Sequence, residues 1–468
     1  MQALIYQLLV SFLRLVTRIF FRTVEVVGRD HVPPTGPVIL VGNHPNSLVD
    51  PVVISTTCGR PVSLAARDGL FRSPLLRPLL WALGTVPIKR RQDQAEGTLH
   101  ATTSGSPGVV DNAEAFGALH ALLKNGRAFG IFPEGVSYTE SELQPLKTGA
   151  ARIALSALEQ GIPVVIVPAG LSYRRKQHYR GRVLVQYGRP IVLDASWLAR
   201  QLADPREAAR ALTADIELAL RALTLNAPDF DTLRVLDAVR RLYVPESRHL
   251  TLSDEAEITR RLMAHWDAKR ELPEVRAFYA DVESYQTLLE ALGLSDWDLR
   301  KPVSRFGWAL RVLRHLALLL IQVPFALPGL VLNLPILYGA TRAGEMVLER
   351  DDVRATMRMM IGTAGVLLLQ GAATVVAFAL DPTLRGALRA ALLLAFLVAS
   401  GLAAIRVLEK QAVVRHGLRV FTRMLALHGA LAALRRERDA LRARIAPLVE
   451  AHIDPAIERI VSADELRR

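Results

Sequence analysis

A histidine and an aspartate follow a short apolar run near the start of the chain, in the stretch GNHPNSLVDP from Gly42 to Pro51. His44 can take a proton from a hydroxyl group and return it to a leaving group, because imidazole titrates near neutral pH. Asp50 could fix the tautomer of that imidazole, as the acid of a Ser–His–Asp triad does. Two alternatives stay open at this point. His44 could be a turn residue before a helix capped by Asn46 or Ser47, or a metal ligand, although no second ligand recurs at metal-site spacing.

The spacing of this pair limits how the two side chains can meet. Six positions along one continuous helix would place them about 240° apart, so they would not face each other. Pro45 favours another geometry, because proline is common at the first position of a helix and His44 would then lie in the preceding turn. We therefore expect His44 and Asp50 to meet across a turn, with the helix beginning at residues 45–47.

A second candidate site is the stretch GIFPEG, residues 130–135. Glu134 can accept a hydrogen bond from a substrate hydroxyl or pair with an arginine, and Gly135 lets the backbone approach a ligand closely. Backbone N–H groups in such a turn favour an anion. Taken alone, the same tripeptide is also typical of a plain β-turn.

Two basic stretches are suited to a phosphorylated substrate. GTVPIKRRQD, residues 84–93, places Arg90 after a short strand, and arginine binds phosphate with two parallel hydrogen bonds. LKTGAARIAL, residues 146–155, places Lys147 and Arg152 near a helix start, where backbone N–H groups attract phosphate. Alone, these stretches are equally typical of a solvated charge run and of an ordinary helix cap.

Residues 23–195 indicate an α/β domain with a mixed sheet flanked by helices, because short β-branched runs alternate with helical patterns. The runs are VEVVG, GPVILVGN, VSLAA, TVPIKR, AFGIFPEG, PVVIVPAGLSY and VLVQYGRPIVL, and the helical patterns cover residues 51–57, 74–82, 112–124 and 148–159. The polar stretch 91–110 is expected to be a mobile loop. The candidate residues fall at strand ends, where ligands usually bind in such domains.

The remaining segments are predicted to be helical. Residues 1–22 are apolar with internal arginines and no cleavage site, which favours an interfacial amphipathic helix over an ordinary core helix. Residues 196–306 are predicted to form a helical extension, and residues 411–468 an Arg-rich helical tail. The single cysteine, Cys58, excludes an internal disulfide framework and a cysteine-based zinc site.

Residues 307–410 contain three uncharged segments, at 316–338, 359–380 and 390–405, with lengths near that of a membrane span. Prolines at 324, 328 and 335 predict that the first segment is broken or kinked, so that a re-entrant or interfacial hairpin is as plausible as a span. Arginines flank all of these segments, while the connection between the second and third carries only Arg385 and Arg389 beside Asp381. The positive-inside rule then places the outer flanks in the cytosol.

Four stretches, taken in their order along the chain, resemble the sequence blocks of the membrane-associated glycerolipid acyltransferases. These blocks are NHPNSLVDP with His44 and Asp50, GTVPIKR ending at Arg90, FPEG at residues 132–135, and VVIVPAG, which contains Pro168. The stretch LTLNAPDFDTLRVLDAVRRLY and the Pro-containing membrane segments resemble the fungal-type glycerol-3-phosphate/dihydroxyacetone-phosphate acyltransferases within this family. One departure is the five residues between histidine and aspartate, where the usual block has four.

The resemblance implies a role for each matched residue. His44 would deprotonate the acceptor hydroxyl, Asp50 would orient His44, and Arg90 would bind the acceptor phosphate in a pocket completed by Glu134 and Gly135. Pro168 would shape the acyl or thioester side, and Lys147 and Arg152 are weaker candidates for substrate binding. An acyl thioester, acyl-CoA or acyl-carrier protein, would be the donor, with no metal and no further cofactor.

Alternative functions remain at this stage. The acceptor could be lysophosphatidate or another lysophospholipid, or the protein could be an inactive lipid-binding scaffold on the same fold. Nucleic-acid binding is disfavoured although the net charge is +13, because the arginines flank membrane segments instead of alternating with exposed aromatic residues. A transporter is disfavoured because the uncharged segments carry no ionisable residue. The Ala-, Leu- and Arg-rich composition favours a bacterial source and hence a bacterial inner membrane. With a re-entrant first segment, the positive-inside rule places the catalytic domain on the cytoplasmic side.

Overall fold

The computed structural model describes residues 2–74, 76–89, 112–138, 140–176, 178–245, 249–300, 305–346, 351–426 and 428–452. Two predictions lie outside the described residues, namely the phosphate-binding Arg90 and the mobile loop at 91–110. The chain divides into two compact units, Met1–Pro228 with Leu348–Thr356, and Asp229–Val347 with Met357–Arg468. The first unit contains the predicted α/β domain, and the second contains most of the predicted helical region.

The first unit is built on a mixed β-sheet, with eight strands among the described residues. The strands are β1 (Phe21–Val27), β2 (Val38–Gly42), β3 (Val62–Arg67), β4 (Val86–Ile88), β5 (Ala128–Ile131), β6 (Val165–Arg174), β7 (Gly181–Tyr187) and β8 (Ile191–Val192). Their order is β1-β7-β6-β2-β5-β3-β4, with β8 beside β6. Strands β6, β2, β5, β3 and β4 run parallel, and β7 is antiparallel to β6. The carboxyl ends of the parallel strands therefore share one edge, as the α/β prediction requires.

The helices of the first unit flank this sheet. They are α1 (Gln2–Phe20), α2 (Val49–Thr57), α3 (Leu76–Ala82), α4 (Ala113–Lys124), α5 (Gly149–Glu159), α6 (Ala195–Ala203) and α7 (Pro205–Arg221). Helix α5 is rich in alanine and leucine, which favour helix, and it buries Ile153 and Leu155 completely. These side chains share one core cluster with Ile39 of β2 and Ile166 of β6. Helices α2 to α5 confirm the predicted helical patterns to within two residues.

Helix α1 packs one face on the first unit. The hydroxyl of Tyr6 donates to the Val62 carbonyl at 3.2 Å, and Arg14 Nε donates to the Thr56 carbonyl at 3.3 Å. The opposite face exposes large apolar side chains, namely Leu4, Leu8, Phe12 and Leu15. One packed face and one exposed apolar face fit an interfacial helix. That assignment stays a prediction, because the helix is also long and apolar enough to cross a membrane.

The second unit is helical. Its helices are α8 (Phe230–Tyr243), α9 (Leu252–Lys269), α10 (Pro273–Leu292), α11 (Asp296–Leu299), α12 (Arg305–Met346), α14 (Leu384–Ala426) and α15 (His428–His452), and α13 (Asp351–Leu380) begins in the segment assigned to the first unit. The fully buried Asp296 accepts from Arg438 Nε at 2.8 Å and from Arg300 Nε at 3.0 Å. Because both carboxylate oxygens are paired, these buried charges join α11 to α15 without leaving an unpaired ion.

Four segments of the described helices are long and apolar enough to cross a membrane: Ala3–Phe20, Val312–Ala343, Arg354–Leu380 and Leu384–Val420. The last three contain the predicted uncharged segments. Of the two predicted outcomes for the first segment, the break is wrong, because α12 continues as one helix through Pro324, Pro328 and Pro335, while the kink stays a prediction. A re-entrant turn inside residues 316–338 is therefore absent from this described helix.

Ser400 of α14 helps to explain why α12 stays continuous. Its hydroxyl accepts from the Gly329 N–H and donates to the Phe325 carbonyl, both at 2.8 Å. These two backbone groups are normal helical partners, so the serine bridges the ladder directly after Pro328. A Cβ at Gly329 would lie 2.4 Å from the Ser400 carbonyl oxygen. Glycine at this position therefore permits the close approach of the two helices.

Candidate active site

His44 and Asp50 meet at the carboxyl end of β2. The strand ends at Gly42, the chain turns through Ser47 with a φ of 34°, and α2 begins at Val49. His44 Nδ1 lies 2.8 Å from Asp50 Oδ2. The contact spans a turn, as the spacing predicts, although the helix begins later than residues 45–47 because the turn occupies the intervening residues.

The Asp50 carboxylate is fully buried and accepts three hydrogen bonds. Besides the His44 ring, Oδ2 accepts from the Asn46 N–H at 2.7 Å, and Oδ1 accepts from the Tyr173 hydroxyl at 2.6 Å. Asp50 is also in the first turn of α2, where the helix dipole favours a negative charge. A buried carboxylate with these partners is held in one orientation and can stabilise a protonated imidazole.

The His44 ring has one nitrogen left for chemistry. Since Nδ1 faces the carboxylate, Nε2 is the atom that can exchange a proton with a substrate. The ring stacks on Phe132 at a centroid distance of 4.1 Å and an interplanar angle of 13°. The His44 side chain keeps 18% of its surface exposed, whereas Asp50 keeps none. The arrangement is that of a general base with a buried orienting acid.

Glu134 connects this turn to the end of β5. Its Oε1 accepts from the backbone N–H of His44 at 2.6 Å, and its Oε2 accepts from the backbone N–H of Gln144 at 3.2 Å. Burial raises the pKa of the Glu134 carboxyl above its usual value, while the two backbone hydrogen bonds oppose that rise. In this structure Glu134 holds the backbone that carries the histidine, and its predicted contact with the substrate stays a prediction.

Asn43 adds a second connection, to β6. Its side-chain amide donates to the Leu171 carbonyl at 3.0 Å and accepts from the Leu171 N–H at 2.7 Å. This pair of bonds extends the β2–β6 ladder, whose register ends at Gly42 opposite Ala169. The turn that carries His44 is therefore held from both neighbouring strands, which fixes the backbone position of this histidine.

Gly135 and Lys147 lie together beside Glu134. Gly135 has a φ of +75°, and a Cβ built on it would lie 2.4 Å from Lys147 Nζ. The Lys147 N–H also donates to the Pro133 carbonyl at 2.8 Å. The structure thus brings one of the two weaker candidates for substrate binding directly onto the Pro–Glu–Gly turn.

Gly135→Ala is expected to destabilise the fold by about 1–3 kcal/mol, because alanine is strained at this φ. It should also lower the activity of this site, because the new Cβ would displace Lys147. Gly36→Ala is the matched control, since Gly36 has a φ of +82° and an added Cβ would meet nothing within 4 Å. Melting temperature and activity are measured for both variants. Equal losses in the two would contradict a specific role for the Lys147 contact.

The other predicted substrate residues are placed differently. Arg152 on α5 is exposed, and its guanidinium lies over the Phe116 ring of α4 at 5.8 Å from the ring centroid. Pro168 is buried in β6, in register with Val41, and its carbonyl accepts from the Gly188 N–H at 2.8 Å. Arg90 lies outside the described residues. Pro168 therefore lies beside β2, the strand that leads to the His44–Asp50 pair, which we call the dyad. Arg152 instead contacts a flanking helix.

Tyr173 is the site residue that the sequence interpretation missed. It lies on β6, 123 positions after Asp50, and burial together with the Asp50 charge raises the pKa of its hydroxyl well above the usual value. The available signal was its position in the same strand run as Pro168. Among the described residues, no group of three or more His, Cys, Asp or Glu side chains could hold a metal ion.

Comparison with known proteins adds to this geometry. The model of the acyltransferase family matches residues 23–172, which contain the dyad and the Pro–Glu–Gly turn. Residues 23–172 form an acyltransferase-family domain. A second model, described as the glycerol-3-phosphate acyltransferase 2 C-terminal domain, matches residues 235–457. The predicted resemblance to the glycerolipid acyltransferases is confirmed by the two matches together.

Three relatives illustrate the range of similarity. The chain is 32% identical to glycerol-3-phosphate O-acyltransferase 2 of Saccharomyces cerevisiae over 54% of this chain and 36% of that protein. It is 25% identical to glycerol-3-phosphate O-acyltransferase 1 of the same yeast, over 75% and 58%. It is 26% identical to a 1-acyl-sn-glycerol-3-phosphate acyltransferase of Borreliella burgdorferi, over 30% and 50%. The matched regions thus cover about a third to three-fifths of the lengths of these relatives.

The family match and the apolar helices bear on location. Among the described residues, four helices are long and apolar enough to cross a membrane. The chain also matches two yeast glycerol-3-phosphate acyltransferases. Three of them, α12 to α14, expose many large apolar side chains, such as Ile321, Leu368 and Leu392. Such surfaces are costly in water and favourable in lipid. The protein is therefore membrane-associated.

Proposed function

We propose that this protein transfers a fatty acyl chain from an acyl thioester to a hydroxyl group of glycerol 3-phosphate or dihydroxyacetone phosphate. The observation that carries this proposal is the 2.8 Å contact between His44 Nδ1 and the buried Asp50 carboxylate at the carboxyl edge of the sheet. Relatives named as glycerol-3-phosphate O-acyltransferases support the acceptor class. The acyl donor is acyl-CoA or acyl-carrier protein, and the reaction uses no further cofactor.

The reaction begins with proton transfer from the acceptor hydroxyl to His44 Nε2. The hydroxyl oxygen attacks the thioester carbonyl carbon, a C–O bond forms and the C–S bond breaks. His44 returns its proton to the leaving thiolate, so the base is regenerated and the charges balance. Asp50 stabilises the imidazolium between the two transfers, while the Glu134 contact keeps the His44 backbone in place.

The two ends of the substrates need different environments. The acceptor phosphate would be bound by Arg90, which follows β4 in the sequence, together with Gly135 of the turn after β5 and Lys147 beside it. The acyl chain would remain in lipid, since α1 and its exposed leucines offer an apolar surface on the same unit as the dyad. This division lets a water-soluble phosphate and a membrane-bound product be handled by one site.

Purified full-length protein in detergent or vesicles tests the proposal. Long-chain acyl-CoA is supplied in parallel reactions with glycerol 3-phosphate, dihydroxyacetone phosphate and lysophosphatidate, and free thiol and radiolabelled lipid products are measured. Acylation of glycerol 3-phosphate or dihydroxyacetone phosphate is the expected result. Acylation of lysophosphatidate alone would overturn the proposed acceptor but would keep the enzyme class.

Lysophosphatidate acylation is the second candidate function. The match to a 1-acyl-sn-glycerol-3-phosphate acyltransferase covers 141 residues of this chain and supports the shared chemistry. The matches to the yeast glycerol-3-phosphate acyltransferases extend over 269 and 440 residues, which favours their acceptors. An inactive scaffold is the third possibility, and the intact hydrogen bonds of the dyad argue against it.

The orientation in the membrane is also a proposal. The connection between α13 and α14 carries few basic residues, whereas arginines are frequent on the outer flanks of these two helices, which supports a cytosolic location for those flanks. A cytosolic first unit then requires that α12 lies along the membrane without crossing it. A bacterial inner membrane, expected from composition, has no support from the yeast relatives. Protease protection of the first unit in sealed vesicles checks the orientation.

A further inference from the structure

The phenol of Tyr173 occupies the side of Asp50 opposite to the histidine. Its hydroxyl donates to Asp50 Oδ1 at 2.6 Å, while His44 Nδ1 contacts Oδ2 at 2.8 Å. The three side chains therefore form one continuous chain of hydrogen bonds, running from β6 through the first turn of α2 to the turn after β2. A short bond to a carboxylate is among the stronger hydrogen bonds in proteins.

The fold fixes the direction of this phenol. Tyr173 is in register with Val183 of β7, and its ring packs beside the buried Phe21 at a centroid distance of 5.8 Å. Burial and the Asp50 charge raise the pKa of the Tyr173 hydroxyl well above its usual value. The hydroxyl therefore remains protonated over the working pH range and donates its hydrogen to Asp50 Oδ1.

We propose that Tyr173 is a positioning residue of the acyltransferase site, acting through Asp50 on the strength and orientation of the His44 base. This inference rests on the proposed function, since it assumes that His44 accepts the substrate proton. Donation to Oδ1 disperses the carboxylate charge and holds the carboxylate plane so that Oδ2 points at the imidazole. Loss of the donor would leave a more basic carboxylate that holds the imidazole proton more tightly.

Other charged groups reach the same turn from neighbouring elements. Glu134, after β5, accepts from the His44 N–H, and Lys176, after β6, donates to the Pro45 carbonyl at 3.1 Å. Asp50 itself belongs to α2. None of these contacts involves the Tyr173 hydroxyl, so its removal leaves them in place. A change in the pH profile of kcat/KM would then result from loss of the Tyr173 hydroxyl alone.

Tyr173→Phe in the full-length protein tests the proposal, because it removes one oxygen and keeps the ring against Phe21. Tyr187→Phe is the matched control. The Tyr187 hydroxyl is also buried in the sheet, and it bonds Thr57 Oγ1 at 2.8 Å, at the far end of the helix that carries Asp50. We expect kcat to fall about tenfold in Tyr173→Phe, with KM for both substrates within about twofold of wild type. The acid limb of the kcat/KM profile should move to higher pH by about half a unit.

If Tyr173→Phe folds poorly, a second variant tests the same proposal. Replacement of Tyr173 by 3-fluorotyrosine makes the phenol a stronger donor, so the acid limb should move in the opposite direction, to lower pH. A profile unchanged from wild type in both variants, or a change equal to that of Tyr187→Phe, overturns the role of Tyr173. His44→Ala separates the two hypotheses. Full acyl-transfer activity in that variant overturns the His44 base on which this inference rests, whereas absence of acyl transfer in the wild-type protein overturns the proposed function. Loss of activity in His44→Ala beside an unchanged Tyr173→Phe profile overturns this inference alone.

Discussion

His44→Ala is expected to lower the rate of acyl transfer on the order of 10³-fold, because a positioned general base contributes about 10²- to 10⁴-fold. Neither of the two described carboxylates beside His44 can substitute for it, since Glu134 and Asp50 accept from backbone groups, from Tyr173 and from the histidine itself. Substrate binding should change little, so the loss should fall on kcat and leave KM close to wild type. Acyl-CoA turnover with glycerol 3-phosphate, followed over several hours, measures the residual rate.

The fold of His44→Ala should survive, which makes the loss of activity interpretable. The ring stacks on a single aromatic side chain, Phe132, and such contacts contribute about 0.5–1.5 kcal/mol. His120→Ala is the matched control, since His120 is a partly buried histidine of α4 whose ring contacts the Ile153 carbonyl. Wild-type turnover is expected in the control. If His44→Ala turned over at the wild-type rate while melting normally, His44 would not be the base.

The α/β domain was predictable from local signals. Short β-branched runs such as VILVG and VLVQY form β2 and β7, and helical patterns form α2 to α5. Periodicity and strand-forming propensity act over a few residues, so one sequence carries them fully. The edge of the sheet that carries the site was also predictable, because the carboxyl ends of parallel strands lie on one side of a sheet.

The partners of the dyad were not predictable in the same way. The contact between Tyr173 and Asp50 joins residues 123 positions apart, and the bond from the His44 N–H to Glu134 joins residues 90 positions apart. Both depend on β2 lying between β5 and β6, an order that the strand patterns do not encode. The role predicted for Glu134 came from residue type and resemblance, and neither reveals a carboxylate that binds two backbone N–H groups.

The continuity of α12 shows a different limit. Three prolines in the sequence predict a broken or kinked helix, since each removes a backbone donor. Ser400 lies more than 70 positions away and bridges Gly329 to Phe325, the backbone pair directly after Pro328. A local pattern therefore predicts the missing donors but not the tertiary contact that supports the helix beside one of them.

Asp50→Asn is expected to lower kcat about 10²-fold, because it removes the charge that stabilises the imidazolium while it preserves the shape of the site. The asparagine oxygen can still accept from the Asn46 N–H, and the Tyr173 hydroxyl can turn to accept from the new NH2 group. KM for both substrates should stay close to wild type. Melting temperature should hardly fall, since a buried charge is replaced by a neutral group with the same partners.

Asp204→Asn provides the matched control. Asp204 caps α7 by accepting from the Arg206 and Glu207 amides, and asparagine caps a helix about as well as aspartate. The control should keep the wild-type rate, so a loss in Asp50→Asn would report the charge beside His44 and not the loss of any helix-terminal carboxylate. A wild-type rate in Asp50→Asn would mean that hydrogen bonding alone suffices at this position. In that case Phe132 stacking and the Glu134 contact would orient the base, and Asp50 would serve only to hold the turn.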